Sequence, residues 1–490
     1  MVESLKQKAT SGMLWVALQK YSTMFIRFIS GIILARLLTP YDYGCIGMLA
    51  IFMVLAEAFI DGGFGSALIQ KKQPTQEDFS TIFYWNLIVA VLMYAILFIS
   101  APIIARFYAI PLLSDVLRIQ GLVLFIFAFN IVQQIQLRKK LNFKVLSIVT
   151  ISTSVIALCV TIFMAYKGYG VWALVAQNLL TAAIPAFLFW FLIKWRPIWI
   201  FSLKSIKELF SFGFYMFLTH LVNNFSTQIQ GLLIGKVYNA STMGYYSKAL
   251  STESLASQSI SSVMTQVTYP LYATVQDDKK RLGYMIKRLT MTISYITFPL
   301  LFILMLLAKP IFLLLYSERW LPSVPYFQVL CLVGMITCMQ SVNLQAIAAI
   351  GKSKSMFLWT VVKRGVGVSM IVLGLFLFGM KGLLIGMIIH NTFSYFVNIG
   401  LVSKYIGYKW NKQVVDFMPV GLVALTAAIV SFGIASILQQ PLFIDALIKL
   451  IIYLTIYLGW SFLFRPEAYQ YAMSVIPDKY LLRLKKTNNR

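Results

Sequence analysis

Apolar runs long enough to cross a bilayer follow one another along most of the chain, and they constrain the fold more than any single motif. About 20 helical residues at 1.5 Å each cross the hydrocarbon core, so uninterrupted apolar runs of about 18 or more read as spanning helices. Such runs fall at 13–34, 43–63, 80–104, 114–135, 145–166, 169–193, 209–235, 243–272, 288–308, 324–349, 356–378, 382–402, 414–437 and 443–464. They predict an all-α polytopic membrane protein with about 14 transmembrane helices. Only 12% of the 490 residues are charged, against about 25% in a soluble domain. The connections are too short to hold an extramembrane catalytic or nucleotide-binding domain, which argues against an enzyme.

A formal charge of +26 would point to nucleic acid in a soluble protein. Here the 42 Lys and Arg residues fall mainly in alternate loops and at the two ends. The basic balance is therefore a topology signal, with both termini expected in the cytoplasm and no nucleic-acid partner.

One stretch is written twice. Gly31–Gly44 reads GIILARLLTPYDYG and Gly231–Gly244 reads GLLIGKVYNASTMG. At an offset of 200, Gly31 meets Gly231, Ala35 meets Gly235, Arg36 meets Lys236 and Gly44 meets Gly244; Gly12 and Gly213 agree with a one-residue slip. The repeat suggests two related six-helix lobes, 1–203 and 204–405. Each lobe starts on the same side of the membrane, so the repeats are parallel and face each other across a central cavity. Two further helices follow at 406–464, then a basic tail at 465–490 expected to lie on the cytoplasmic surface.

LARLLTPYDYGCIG (34–47), IDGGFGSALIQ (60–70) and KGYGVWALVAQ (167–177) carry a resemblance. In order and spacing they resemble the bacterial polysaccharide-repeat-unit flippases, the Wzx-type and colanic-acid-exporter-like proteins of the multidrug/oligosaccharidyl-lipid/polysaccharide exporter superfamily. The resemblance implies movement of an undecaprenyl-diphosphate-linked oligosaccharide from the cytoplasmic to the periplasmic leaflet of the inner membrane. It implies membrane lipids and polysaccharide polymerase machinery as partners, and the protein is expected to act as a monomer.

A lipid diphosphate carries negative charge through a region where charge is expensive, so its carrier should hold cations within its spans. Lys20 and Arg27 share one face of the first helix, being seven residues apart. Arg offers a planar fork to phosphate oxygens and Lys a point charge. Lys363 and Arg364 are the second candidate pair for the diphosphate. For Lys20, and for Lys363 with Arg364, snorkelling to the interface is the alternative.

Glu57 and Asp61 share a face of the second helix. They could pair with Lys20 or Arg27, or bind a coupling proton or sodium ion, with Asp61 expected at the external mouth beside the glycines of DGGFG. His220, Asn223, Thr227 and Gln230 line one stripe of the seventh helix. Lys248, Glu253, Gln258 and Gln266 punctuate a very polar eighth. Hydroxyl and amide groups suit sugar hydroxyls, which makes these eight the candidates for a glycan cavity; the alternative is interhelical glue.

Other signals carry nothing. Gly351-Lys352-Ser353 lacks the earlier glycine of a phosphate-binding loop, the four cysteines lack metal-ligand spacing, and His390 stands alone. No metal and no cofactor are expected. A multidrug exporter of the same superfamily is the alternative function, but cationic substrates favour acidic rather than basic residues within the spans.

Overall fold

The structure, a computed structural model, describes residues 2–473, except for the side chains of residues 2–10, Ser211, Phe212, Val263, Gln266, Val267, Tyr269, Pro270, Ser353 and Lys354. The candidate Gln266 side chain and most of the basic tail thus lie outside the described residues. In chain order the helices are α1 Val2–Leu37, α2 Pro40–Asp61, α3 Phe64–Gln70, α4 Gln76–Tyr108, α5 Leu112–Gln120, α6 Leu122–Lys139, α7 Phe143–Tyr166, α8 Val171–Leu192 and α9 Leu203–Val237. They continue with α10 Ala240–Ala273, α11 Lys279–Leu306, α12 Ala308–Leu315, a 3-10 turn Glu318–Ser323, α13 Val324–Ala349, α14 Ser353–Ile406, α15 Trp410–Leu438, α16 Leu442–Phe464 and α17 Glu467–Met473. Among the described residues there is no strand.

Among the described residues, ten helical stretches are long and apolar enough to cross a membrane. One of them, α14, is two crossings, because Phe378 (φ −131°, ψ 15°) and Gly379 (φ 60°, ψ −143°) leave helical geometry at its centre. Helices α1, α9 and α10 add lengths of 36, 35 and 34 residues. The total is compatible with fourteen crossings. The span expected at 43–63 is longer, running Pro40–Gln70 through a break at Gly62 and Gly63.

The doubled stretch has a structural meaning. In each copy it ends one helix, caps the next and crosses the other copy. Thr39 caps α2, accepting from the Asp42 N–H at 3.4 Å while the Asp42 carboxylate accepts from the Thr39 N–H at 2.8 Å. Asn239 does the same for α10, its Oδ1 accepting from the Thr242 N–H at 2.8 Å. Such caps satisfy N–H groups that a helix start leaves open.

Beyond the caps the two helix starts touch backbone to backbone. A Cβ placed on Gly44 would lie 1.7 Å from the carbonyl oxygen of Ala240, and one on Gly244 would lie 1.8 Å from that of Pro40. Under the 200-residue offset these two contacts exchange, which is the signature of a local two-fold. Gly47, against Met243 and Ser247, and Gly235, against Met48, extend the same close packing. Small residues let helices approach this closely where no water drives them together.

The chain forms two compact units, Met1–Ser247 and Lys248–Arg490. In the first unit α1 packs on α7, α2 on α9, and α4 and α8 on α6. The turn after α3 is tied down by charge. Lys71 Nζ lies 2.8 Å from Asp78 and 3.0 Å from Glu208, and the Asp78 carboxylate holds the Lys71 ammonium above the usual lysine range. Lys139 Nζ donates to the carbonyls of Leu68, Ile69 and Lys71, filling acceptors that the end of α3 leaves open.

In the second unit α13 packs on α14 and α11, and α15 on α16 and α11. The short α17 is clasped to α11: Lys287 Nζ lies 2.7 Å from Glu467 and 3.7 Å from Asp416, and the Tyr471 hydroxyl donates to Glu467 at 2.6 Å.

Two outcomes are expected. Gly44→Leu or Gly244→Leu forces the crossing apart, with an overpacking penalty of about 1–3 kcal/mol. Its thermal midpoint in detergent should fall clearly below that of Gly433→Leu, where the added side chain meets open space. The second concerns pH. Lys287 and Tyr471 hold the Glu467 carboxyl below the usual glutamate range. A group depressed in the folded state stabilises at pH above its unfolded pKa, and that stability is lost as pH falls through the folded one. Hydrogen exchange over residues 467–473 should therefore speed up on acidification relative to α16, and the difference should vanish in Glu467→Gln.

Candidate functional site

The in-span charges fall into four environments. On α1, Lys20 is half-buried and Arg27 is exposed. The pairing expected between Arg27 and Glu57 or Asp61 is not formed. The hydroxyl of Thr23, between Lys20 and Arg27, bonds its own helix, to the carbonyls of Gln19 at 2.8 Å and Lys20 at 3.1 Å. Arg27 makes no ion pair among the described residues.

The carboxylates of α2 differ from expectation. Asp61 stands at the break between α2 and α3, within the apolar stretch Pro40–Gln70. There the N–H groups of Gly63 and Gly65 bond it, and His220 of α9 and Arg138 of α6 lie within its electrostatic reach. The break supplies two N–H groups that a continuous helix would have used internally, and Asp61 takes them. His220 thus belongs with Asp61. Glu57, one turn earlier, is half-buried and makes no ion pair among the described residues.

The polar stripe of α9 is partly absorbed by its own helix. Thr227 is exposed, yet its hydroxyl donates at 3.0 Å to the carbonyls of Asn223 and Asn224. Asn223 and Gln230 are half-buried. In α10 the absorption goes further. Ser251, Thr252, Ser254, Ser262, Thr265 and Thr268 all donate to carbonyls three or four residues back. In a medium without water a hydroxyl that finds its own backbone is satisfied without a partner helix.

The two charges of α10 are turned inward. Lys248 is 3% exposed, with Nζ 4.1 Å from the ring centre of Tyr316 and 5.7 Å from that of Trp320. Glu253 is 5% exposed, and its Oε1 fills the space beside Gly334, where a Cβ would come within 2.0 Å. Gln258 is exposed.

The fourth environment lies between the two halves of α14. Lys363 is buried and its Nζ donates to Asn398 Oδ1 at 2.7 Å. It stands ten residues into the helix, about 15 Å along the axis. Arg364, half-buried, projects about 100° around the helix from Lys363. One turn after Lys363, Gly367 leaves a notch that the ring of His390 fills, its Nδ1 2.3 Å from where a Cβ would sit. His390 lies within electrostatic reach of Lys363 and Arg364, and its Nδ1 has no hydrogen-bond partner among the described residues. The sequence pattern passes over His390, although the four-residue spacing of Lys363 and Gly367 on one face is a signal for a helix packing there.

The profile of the family described as "Polysaccharide biosynthesis protein" matches residues 33–325, more than half of the chain. The chain belongs to that family. The teichuronic acid biosynthesis protein TuaB of Bacillus subtilis (strain 168) is 26% identical over 358 residues, covering 73% of this chain and 74% of that protein. The lipopolysaccharide biosynthesis protein WzxC of Escherichia coli (strain K12) is 22% identical and covers 90% of both chains. The succinoglycan biosynthesis transport protein ExoT of Rhizobium meliloti (strain 1021) is 25% identical over 71% of both. Among solved structures, the lipid II flippase MurJ in an inward closed conformation superposes with a TM-score of 0.73 over 92% of this chain and 99% of its own, at 15% identity. An inward-facing multidrug resistance MATE family transporter superposes with a TM-score of 0.62 over 81% and 98%, at 16% identity. The fold is that of these transporters.

Removing the neutral partner of a buried cation tests the α14 cluster. Asn398→Leu leaves Lys363 without its hydrogen bond and should lower stability by about 1.5–3 kcal/mol. Adding Lys363→Met to it should recover much of that loss, as read from thermal midpoints in one detergent.

Proposed function

We propose that this multi-pass member of the polysaccharide biosynthesis protein family is a flippase. It carries an undecaprenyl-diphosphate-linked oligosaccharide from the cytoplasmic to the periplasmic leaflet of the bacterial inner membrane, as a monomer with both termini in the cytoplasm. The observation that carries the reading is the set of cations inside the spans of a chain of this family: Arg27 exposed on α1, and Arg364 beside Lys363 in the first half of α14. An intramembrane charge is expensive and is kept where it meets an opposite one. The diphosphate of a polyprenyl lipid, the cargo that the resemblance implies, is such an anion, and Arg matches its oxygens in a bidentate fork.

Alternating access between the lobes 1–203 and 204–405 gives the repeat crossing a task. The contacts of Gly44 with Ala240 and of Gly244 with Pro40 join the starts of α2 and α10; opening toward the periplasm would part them, and closing would restore them. Backbone packed on backbone stores little side-chain rearrangement, so it can break and reform as a unit. Transport down a gradient drained by later polymerisation needs no coupling ion. Fold likeness to a MATE transporter makes cation export the rival reading; basic side chains within the spans disfavour cationic cargo.

The test uses purified protein in liposomes carrying undecaprenyl-diphosphate oligosaccharide, with arrival at the opposite leaflet followed with and without a proton or sodium gradient. Transfer above protein-free liposomes is expected, and Arg27→Glu should abolish it while the protein still inserts and runs as a folded species. Full activity in Arg27→Glu would overturn the α1 assignment. No transfer of any glycan, together with efflux of cationic dyes, would replace the flippase by the exporter.

A further inference from the structure

The connection between α8 and α9, residues 193–202, has no regular secondary structure, yet it is held along its length. Its bonds go to the first turns of α4. Gln76 Nε2 donates to the Arg196 carbonyl at 2.6 Å, the Trp195 indole N–H donates to Gln76 Oε1 at 2.5 Å, the Ile198 N–H to Ser80 Oγ at 3.0 Å and the Ser202 N–H to Thr81 Oγ1 at 3.1 Å. Irregular backbone must find partners for its N–H and C=O groups, and this face of α4 supplies them. Inward, Trp195 meets Phe79 and Phe83 edge-on, while the Arg196 guanidinium lies 5.1 Å from the Trp190 ring centre.

The outward side of this strap carries exposed aromatic, aliphatic and basic side chains. Trp199 is 94% exposed. Its ring is nonetheless ordered, stacked on Tyr84 at 5.6 Å and 22°. Ile200, Phe201 and Leu203 are exposed beside it. Lys194, Lys204 and Lys207 are exposed around this ridge. The acid next to them, Glu208, is already paired with Lys71. The ridge is also continuous with Phe191 and Leu192 at the exposed end of α8, a spanning helix.

We propose that this strap is a binding surface for anionic phospholipid. The Trp199 platform enters the boundary between headgroups and acyl chains, and Lys194, Lys204 and Lys207 hold the headgroup phosphates. A large aromatic ring with one apolar face and a polar N–H is at home in that boundary. Clustered basic residues at the same depth enrich anionic lipid around them. Continuity with the lipid-facing end of α8 favours a bilayer over a protein partner, because one bilayer covers both. The proposal goes beyond the flippase reading and stands or falls separately from it.

The experiment reconstitutes the full chain in phosphatidylcholine vesicles containing phosphatidylglycerol. Bromine is placed on the acyl chains of one lipid or the other, at equal bulk fraction of brominated chains. The difference between the protein and its Trp199→Phe variant isolates the Trp199 emission. Brominated phosphatidylglycerol should quench that emission at least about twofold more strongly than brominated phosphatidylcholine. The triple variant Lys194→Gln, Lys204→Gln, Lys207→Gln should lose this preference and keep the phosphatidylcholine quenching, which also reports that the strap is still seated. Equal quenching by the two lipids in the unmodified protein overturns the proposal, as does a preference that survives in the triple variant. Absence of Trp199 quenching by either lipid overturns it in favour of another occupant.

Discussion

Inside hydrocarbon there is no water to satisfy a polar group, and nearly every local choice in this protein answers to that constraint. Helix starts at Thr39, Thr75 and Asn239 carry side chains that accept from the N–H groups left over. The hydroxyls of α10 return to their own backbone, so a stretch that is polar nearly all round forms a helix without a polar partner for each residue. Where the backbone of the second span breaks at Gly62 and Gly63, a carboxylate is at hand to take the N–H groups that the break releases. Lys139 performs the converse service, donating to the open carbonyls at the end of α3.

The same constraint decides how the charges within the spans are housed. Lys248, Lys363 and Glu253 are all buried, the first among aromatic rings, the second on an amide, the third beside a glycine. Arg27 is exposed within α1, and Arg364 points away from the contact that Lys363 makes. Lys248 and Lys363 thus make their contacts within the helix packing, while the proposed function calls on the two arginines for the diphosphate. Arginine remains charged in any surroundings and is the less hydrated cation, which suits it to that role.

Backbone contact joins the two copies of the repeated stretch. Gly44 against Ala240 and Gly244 against Pro40 bring the starts of α2 and α10 to the closest approach that two helices allow. Larger side chains at these positions would prevent it. A sequence that repeats a capping side chain, a basic residue and a glycine 200 residues apart builds a contact with itself.

The sequence by itself determined the class of the fold, its spacing and its family. Runs of apolar residues set the spans because length against bilayer thickness needs no tertiary context, and the caps at Thr39 and Asn239 are local chemistry between residues three apart. Even the break at DGGFG was legible, since two glycines and an aspartate end a helix wherever they stand. Tertiary structure alone decided which way each in-span polar group faces. Asp61 turned to Gly63, Gly65 and His220 rather than to Lys20 or Arg27, and His390 joined Lys363 and Arg364 because Gly367 makes room for its ring. The physical reason is one of range: spans and caps follow from neighbours along the chain, whereas a charge in a membrane takes its partner from whichever helix packing brings near.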